Sequence, residues 1–148
     1  MNPETPAAQA PPVTVLIVED NALVAKFYRL ALERAGGFAC LVTEDVSEML
    51  AAISAGRVQV AVVDVSLSRT EWEGRPIDGV ELTRLLKRRA AAHAGRALPV
   101  LLATAHVMAG DRERLFEASG ADEYLEKPVY DAALLVNTVR ALLKASRA

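Results

Sequence analysis

Several side chains able to do polar chemistry stand where an apolar run gives out. Glu19 and Asp20 follow the run Val13–Val18, and Asp64 follows Val58–Val63. Thr104-Ala105 follows Leu98–Ala103, and Lys127-Pro128 comes just after Ala121–Leu125. Three carboxylates brought close together repel one another and stay ionised at neutral pH only with a cation among them. Oxygen ligands without histidine or thiolate partners select a hard ion. Mg²⁺ suits such a set, because it takes a few carboxylates, keeps several waters and shares its shell with phosphate. Lys127 offers a point charge for a phosphoryl oxygen, and Thr104 offers a hydroxyl donor. The set supports in-line phosphoryl transfer to a carboxylate, with Asp64 as nucleophile.

These residues meet only if the runs that carry them are parallel strands of one sheet. Val13–Val18 is short, rich in β-branched residues and reads as a strand buried on both faces. Asn21–Ala35 carries Leu23, Phe27, Leu30 and Ala31 at helical spacing and is stopped by Gly36-Gly37. Phe38–Thr43 is a second strand, and Asp45, with Glu48 three residues on, opens a second helix that ends at Gly56. Val58–Val63 is the third strand. After a long connection Asp78 opens a helix with Val80, Leu82, Leu85 and Leu86, followed by a fourth strand, Leu98–Ala103. A charged helix over Gly110–Ala118 closes at Ser119-Gly120, Ala121–Leu125 is a fifth strand, and Asp131–Ala145 is the last helix.

Five strands alternating with five helices predict an α/β fold with a doubly wound parallel sheet. The third and fourth strands hold almost nothing polar and read as central; the fifth contains acids and reads as an edge. In such sheets ligands gather at the carboxyl ends of the strands, where strand order reverses.

Composition excludes other classes. The chain has 148 residues, 52% of them hydrophobic, enough for one domain with a real core. A net charge of −2 gives no electrostatic reason to expect nucleic acid or an anionic membrane. The first dozen residues hold Pro3, Pro6, Pro11 and Pro12 and read as a flexible arm (residues 1–12) before a domain over residues 13–148. No run is long enough to span a membrane. The one cysteine, Cys40, sits in an apolar stretch, reads as buried strand filler and suits a reducing, cytoplasmic compartment.

The acid pair after strand one, the Asp after strand three, Thr-Ala after strand four and Lys-Pro after strand five together resemble the receiver domain of bacterial two-component response regulators, of the stand-alone chemotaxis type. The likeness runs from about Val13 to Ala145. It implies a flavodoxin-like (βα)5 fold with strand order 2-1-3-4-5. It implies that Glu19, Asp20, Asp64 and the backbone carbonyl of Ser66 hold Mg²⁺. Asp64 would accept a phosphoryl group from a sensor histidine kinase or phosphotransfer protein. Thr104 and Tyr124 would act as the conformational switch, and Lys127-Pro128 would be a cis bond. Output would pass to a downstream protein through the face of helix four, strand five and helix five, with a homodimer also open. Such a chain is a switch and not a turnover enzyme, beyond its own phosphorylation and dephosphorylation. No output domain follows the last helix in the sequence given.

The connection after Asp64 departs from that pattern. Asp78-Gly79 arrives late, so residues 65–77 form a long loop holding Trp72, the only tryptophan. It reads either as a tolerated surface insertion or as a flap that shields the phosphoryl group or selects a partner. Lys87-Arg88-Arg89 reads as a solvated helix end. His93 reads as surface; His106, two residues after Thr104, is placed by the resemblance where dephosphorylation is tuned. Three alternatives remain open. A Mg²⁺-dependent phosphatase of the haloacid dehalogenase type wants an acid where Ser66 stands. A flavin binder wants a phosphate cradle where Glu19-Asp20 stands. A degenerate receiver scaffold does not need every chemical position filled, as they are here.

Overall fold

The computed structural model describes residues 12–105 and 110–146. His106 and the arm up to Pro11 lie outside the described residues. Five strands form one parallel sheet: β1 (Thr14–Val18), β2 (Ala39–Val42), β3 (Val60–Asp64), β6 (Val100–Thr104) and β7 (Glu123–Glu126). Their order is β2-β1-β3-β6-β7. A small hairpin within the long loop supplies the fourth and fifth strands of the chain, so the main sheet has the expected 2-1-3-4-5 arrangement. Helices α1 (Ala22–Leu30), α2 (Val46–Ser54), α3 (Gly79–Arg89), α4 (Asp111–Ser119) and α5 (Ala132–Ser146) alternate with the strands.

The sheet is buried from both sides, and the period-two alternation of side chains sorts it into two cores. Leu16 and Val18 of β1, Ala61 and Val63 of β3, and Val100 and Leu102 of β6 pack with Met49 and Ile53 of α2 and with Leu82 and Leu86 of α3. Val15 and Ile17, Val60 and Val62, and Leu101 point the other way, against Tyr28 and Leu32 on the α1 side and Leu135, Val136 and Val139 of α5. Every residue of β3 and β6 is buried, as expected of central strands.

β2 and β7 are the edges. The position of β2 leaves Cys40 half-buried rather than enclosed, and that partial burial lifts its thiol to about 11. β7 begins two residues later than the apolar pattern implied, just after Asp122. Its carboxylate accepts from the Val100 amide at 2.8 Å and from Lys87 Nζ at 2.7 Å, while Lys87 also donates to the Leu98 carbonyl at 2.7 Å. Lys87 is therefore a tie between α3 and the β6–β7 edge, not a solvated helix end. His93 is exposed, as read from the sequence.

Short polar side chains start the helices where the orphan amides need them. Asn21 accepts from Leu23 and Val24 amides, Asp45 from Glu48 and Asp78 from Glu81. α1 and α3 each end in a π turn, Ala31–Ala35 and Ala90–Ala94.

The long loop is not structureless. β4 (Glu71–Trp72) pairs antiparallel with β5 (Arg75–Pro76). Glu73 and Gly74 turn the corner with φ of 53° and 79°, the two positive values that a tight hairpin turn of this hand requires. The Ile77 amide extends the ladder to the Thr70 carbonyl at 3.0 Å. Val65, Leu67 and Trp72 pack on the core beneath α2 and α3, and Ile77 is buried within it.

Where the loop rejoins the body, Gly79 fits only because it lacks a side chain. A Cβ there would lie 2.1 Å from the Asp64 carbonyl oxygen and 2.7 Å from Val65 Cα, both backbone atoms that cannot swing aside. Gly79→Ala is expected to destabilise the chain by about 3 kcal/mol through this overpacking, lowering the melting temperature by roughly 10 °C in calorimetry.

Candidate functional site

The carboxyl ends of β1, β3 and β6 and the turn after β7 meet at one edge of the sheet. Glu19 and Asp20 leave β1, Asp64 is the last residue of β3, Thr104 is the last of β6, and Lys127 follows β7. One carboxylate oxygen from each of Glu19, Asp20 and Asp64 lies within 4.8 Å of the other two. Glu19 and Asp64 are each only 4% exposed, and Asp20 is more open. Lys127 Nζ donates to Glu19 Oε1 at 3.0 Å and to Asp64 Oδ2 at 3.3 Å. The Lys127-Pro128 bond is cis.

Each acid has a different set of partners. Glu19 Oε2 accepts from the Asn21 amide at 3.1 Å, so Glu19 does not cap α1; Asn21 does. Asp64 Oδ1 accepts from the Ser66 amide at 3.1 Å. Asp20 Oδ2 accepts from the Ser68 amide at 2.9 Å and from the Ser68 hydroxyl. Arg69 donates to the Asp20 carbonyl at 2.7 Å and grips Glu44 with two nitrogens, at 2.8 and 3.3 Å.

The electrostatics follow from these surroundings. Burial holds the Glu19 carboxyl above the ordinary 4.5; hydrogen bonds from Lys127 and Asn21 pull against it, and the Asp64 charge adds to the rise. Asp20 sits below the ordinary 3.8, chiefly because the Ser68 hydroxyl bonds its ionised form. Burial alone would lower the Lys127 ammonium, yet bonds and charges from Glu19 and Asp64 outweigh it and hold Lys127 above 10.5. The result is an acidic pocket with a half-buried cation: oxygen donors fit for a hard divalent ion, and an ammonium beside the Asp64 oxygens.

The remaining expected residues lie around this centre. Thr104 is buried at the end of β6. Tyr124 is half-buried on β7, its ring edge-on to Phe116 of α4 at 5.7 Å and 73°. Ser66 is at the surface beside Asp64. Reasoning from the sequence missed Ser68, Arg69, Glu44 and Tyr28. Ser68 lies 48 residues from Asp20 and Arg69 lies 25 from Glu44, so no local pattern announces either contact. Tyr28 occupies an apolar helical position, but its hydroxyl is buried without a hydrogen-bond partner among the described residues. Burial first, then the charges of Glu19 and Asp64, raise its pKa.

Comparison with known proteins agrees with this geometry. The family model for the response regulator receiver domain matches residues 15–140. The chain belongs to that family. Among curated relatives, the transcriptional regulatory protein CseB of Streptomyces avermitilis is 35% identical over 130 residues, covering 88% of this chain and 48% of that protein. The polar-differentiation response regulator DivK of Brucella anthropi is 30% identical over 132 residues, covering 89% of this chain and 97% of that protein. The chain thus spans about half the length of the CseB relatives and nearly all of the DivK ones. In fold, it superposes on a CheY-like response regulator receiver domain protein from Methanospirillum hungatei with a TM-score of 0.71 at 20% identity, covering 93% of this chain and 98% of the other. Among the described residues no helix is long and apolar enough to cross a membrane. Nothing in the match to receivers supports the phosphatase alternative.

The buried acids make stability depend on pH with a definite sign. Folded Glu19 keeps its proton to higher pH than the unfolded chain, which ionises near 4.5. Between those values the folded state binds more protons, so this group's contribution to stability falls as pH rises. The depressed Asp20 acts oppositely: its stabilisation is present above 3.8 and is lost as pH falls through its lower folded value. As pH rises from 4.5 to neutral, the metal-free Glu19→Gln chain should therefore lose less stability, or gain more, than wild type in calorimetry. Tyr28→Phe, which removes an unpaired buried hydroxyl and little else, should keep or raise stability by about 1 kcal/mol in denaturant titration.

Proposed function

We propose that this receiver accepts a phosphoryl group on Asp64 from a phosphohistidine of a sensor histidine kinase or phosphotransfer protein. It then signals by a conformational switch read through protein contacts. The observation that carries the reading is Lys127 Nζ held between Glu19 and Asp64 at 3.0 and 3.3 Å, at the edge where Asp20 completes the acidic cluster.

Glu19, Asp20, Asp64 and the Ser66 backbone carbonyl would hold Mg²⁺, which when bound neutralises charge on the phosphoryl oxygens. An Asp64 carboxylate oxygen attacks phosphorus opposite the leaving imidazole. The P–N bond breaks with its electrons going to nitrogen, and an acyl phosphate forms on Asp64. Lys127 turns its ammonium from the bare carboxylates to a phosphoryl oxygen, and the Thr104 hydroxyl donates to another. Tyr124, edge-on to Phe116, would change its packing when Thr104 moves, carrying the signal to the face of α4, β7 and α5. The chain acts once per phosphorylation and is not a turnover enzyme. The reading takes residues 13–148 as the receiver, working in the cytoplasm.

The donor must bring its phosphohistidine to the carboxyl edge. Beside Lys127 an apolar groove runs between α1 and the turn after β7, formed by Leu23, Val24, Phe27, Pro128, Val129 and Tyr130. Leu23 and Tyr130 are 79% and 84% exposed, an apolar rim that supports docking of the donor protein there.

The test is labelling by a small-molecule phosphodonor with Mg²⁺. We expect an acid-stable, base-labile adduct that Asp64→Asn abolishes and that forms about 100-fold more slowly in Lys127→Ala. Labelling that survives in Asp64→Asn, or proceeds with chelator present, overturns the reading. Repeated turnover of a phosphomonoester would make the chain an enzyme instead.

A further inference from the structure

We infer that Ser68 is a positioning residue for the divalent cation, and that the hairpin loop between β3 and α3 is thereby part of the cation site. The inference rests on the Mg²⁺-binding reading above and deepens it.

The acids of the site are held in two different ways. Glu19 and Asp64 are buried and share the Lys127 ammonium. Asp20 is more exposed, and its carboxylate is held from the loop. Both Ser68 donors, amide and hydroxyl, fall on the same oxygen, Oδ2. Two donors on one oxygen fix the plane of the carboxylate and leave Oδ1 outside the clamp. A ligand that is free to rotate must be ordered when the ion binds; one already fixed need not be.

The clamp is itself anchored. Arg69, the next residue, donates to the Asp20 carbonyl and pairs through two nitrogens with Glu44, which follows β2. Thr70 starts the hairpin ladder with Ile77, and Leu67 and Trp72 pack on the core on either side. Ser68 is thus set between the half-buried Leu67 and the buried Thr70 rather than at a loose loop tip, although the residue itself is exposed. Ordering the loop and orienting Asp20 become one event. By linkage, any cation held through Asp20 must favour the clamped loop by the same factor by which the clamped loop favours the cation.

An opposite role has the same contacts: Ser68 competing with the ion for Asp20. The two differ in the sign of one measurement. Mg²⁺ affinity is read by isothermal titration calorimetry on the whole chain without phosphodonor, alongside hydrogen exchange of residues 65–77. Ser68→Ala should weaken Mg²⁺ binding by about 10-fold, and Ser68→Thr, which restores the hydroxyl, should recover most of that loss. Arg69→Ala, which leaves both Asp20 donors in place but loosens their anchor, should also weaken binding. Mg²⁺ should slow exchange in the loop of the wild type and less so in Ser68→Ala. Binding by Ser68→Ala that equals or exceeds wild type overturns the inference while leaving the phosphoacceptor reading intact. A wild-type chain that binds no Mg²⁺ overturns the underlying reading and this inference with it.

Discussion

Everything at the working edge of this molecule follows from placing three carboxylates within 4.8 Å of one another. Two of them are also buried, so they bear both mutual repulsion and the loss of water. Lys127 offsets part of that cost, bonding Glu19 and Asp64 together. It does not remove all of it, since Glu19 still ionises less readily than an ordinary glutamic acid. A site left in that condition favours arrivals that bring positive charge. The attraction that holds the resting site together is that of the Lys127 ammonium for Glu19 and Asp64.

The sheet serves that placement. Between their first and last residues strands β1, β3 and β6 are apolar and buried, so the backbone at their carboxyl ends is fixed by packing on two faces. The polar side chains of the site stand where each strand stops or just beyond it. The same confinement explains Gly79. The start of α3 passes so near the Asp64 carbonyl at the end of β3 that no side chain fits between them. Precision at the site is bought by crowding around it.

The loop after Asp64 adds a second layer of control. Its hairpin is folded on its own terms, with a left-handed turn at Glu73-Gly74 and an apolar underside at Trp72. Its polar side reaches back across the site mouth to Asp20 and Glu44. A segment that reads as an insertion is thereby tied to the chain just after β1 and just after β2. The contacts that hold it down are hydrogen bonds and an exposed ion pair, individually weak, which is the strength expected of a segment able to respond when the charge at the site changes.

Local chemistry in the sequence was enough to read the α/β class, the two central strands and the edge at β7, and the convergence of Glu19, Asp20, Asp64, Thr104 and Lys127. Period-two and period-3.6 patterns report burial directly, and strict alternation of strands and helices forces parallel strands whose carboxyl ends share an edge. The family likeness further implied the strand order and the cis Lys127-Pro128 bond, and both are present. What only the tertiary structure decided are pairings between residues far apart in the chain. Ser68 on Asp20, Arg69 on Glu44, and Lys87 on Asp122 carry no periodic signature. Nor does the unpaired hydroxyl of Tyr28, set at a position whose pattern asks only for bulk. Such contacts depend on where separate elements come to rest, a property of the packed fold and not of any stretch of sequence.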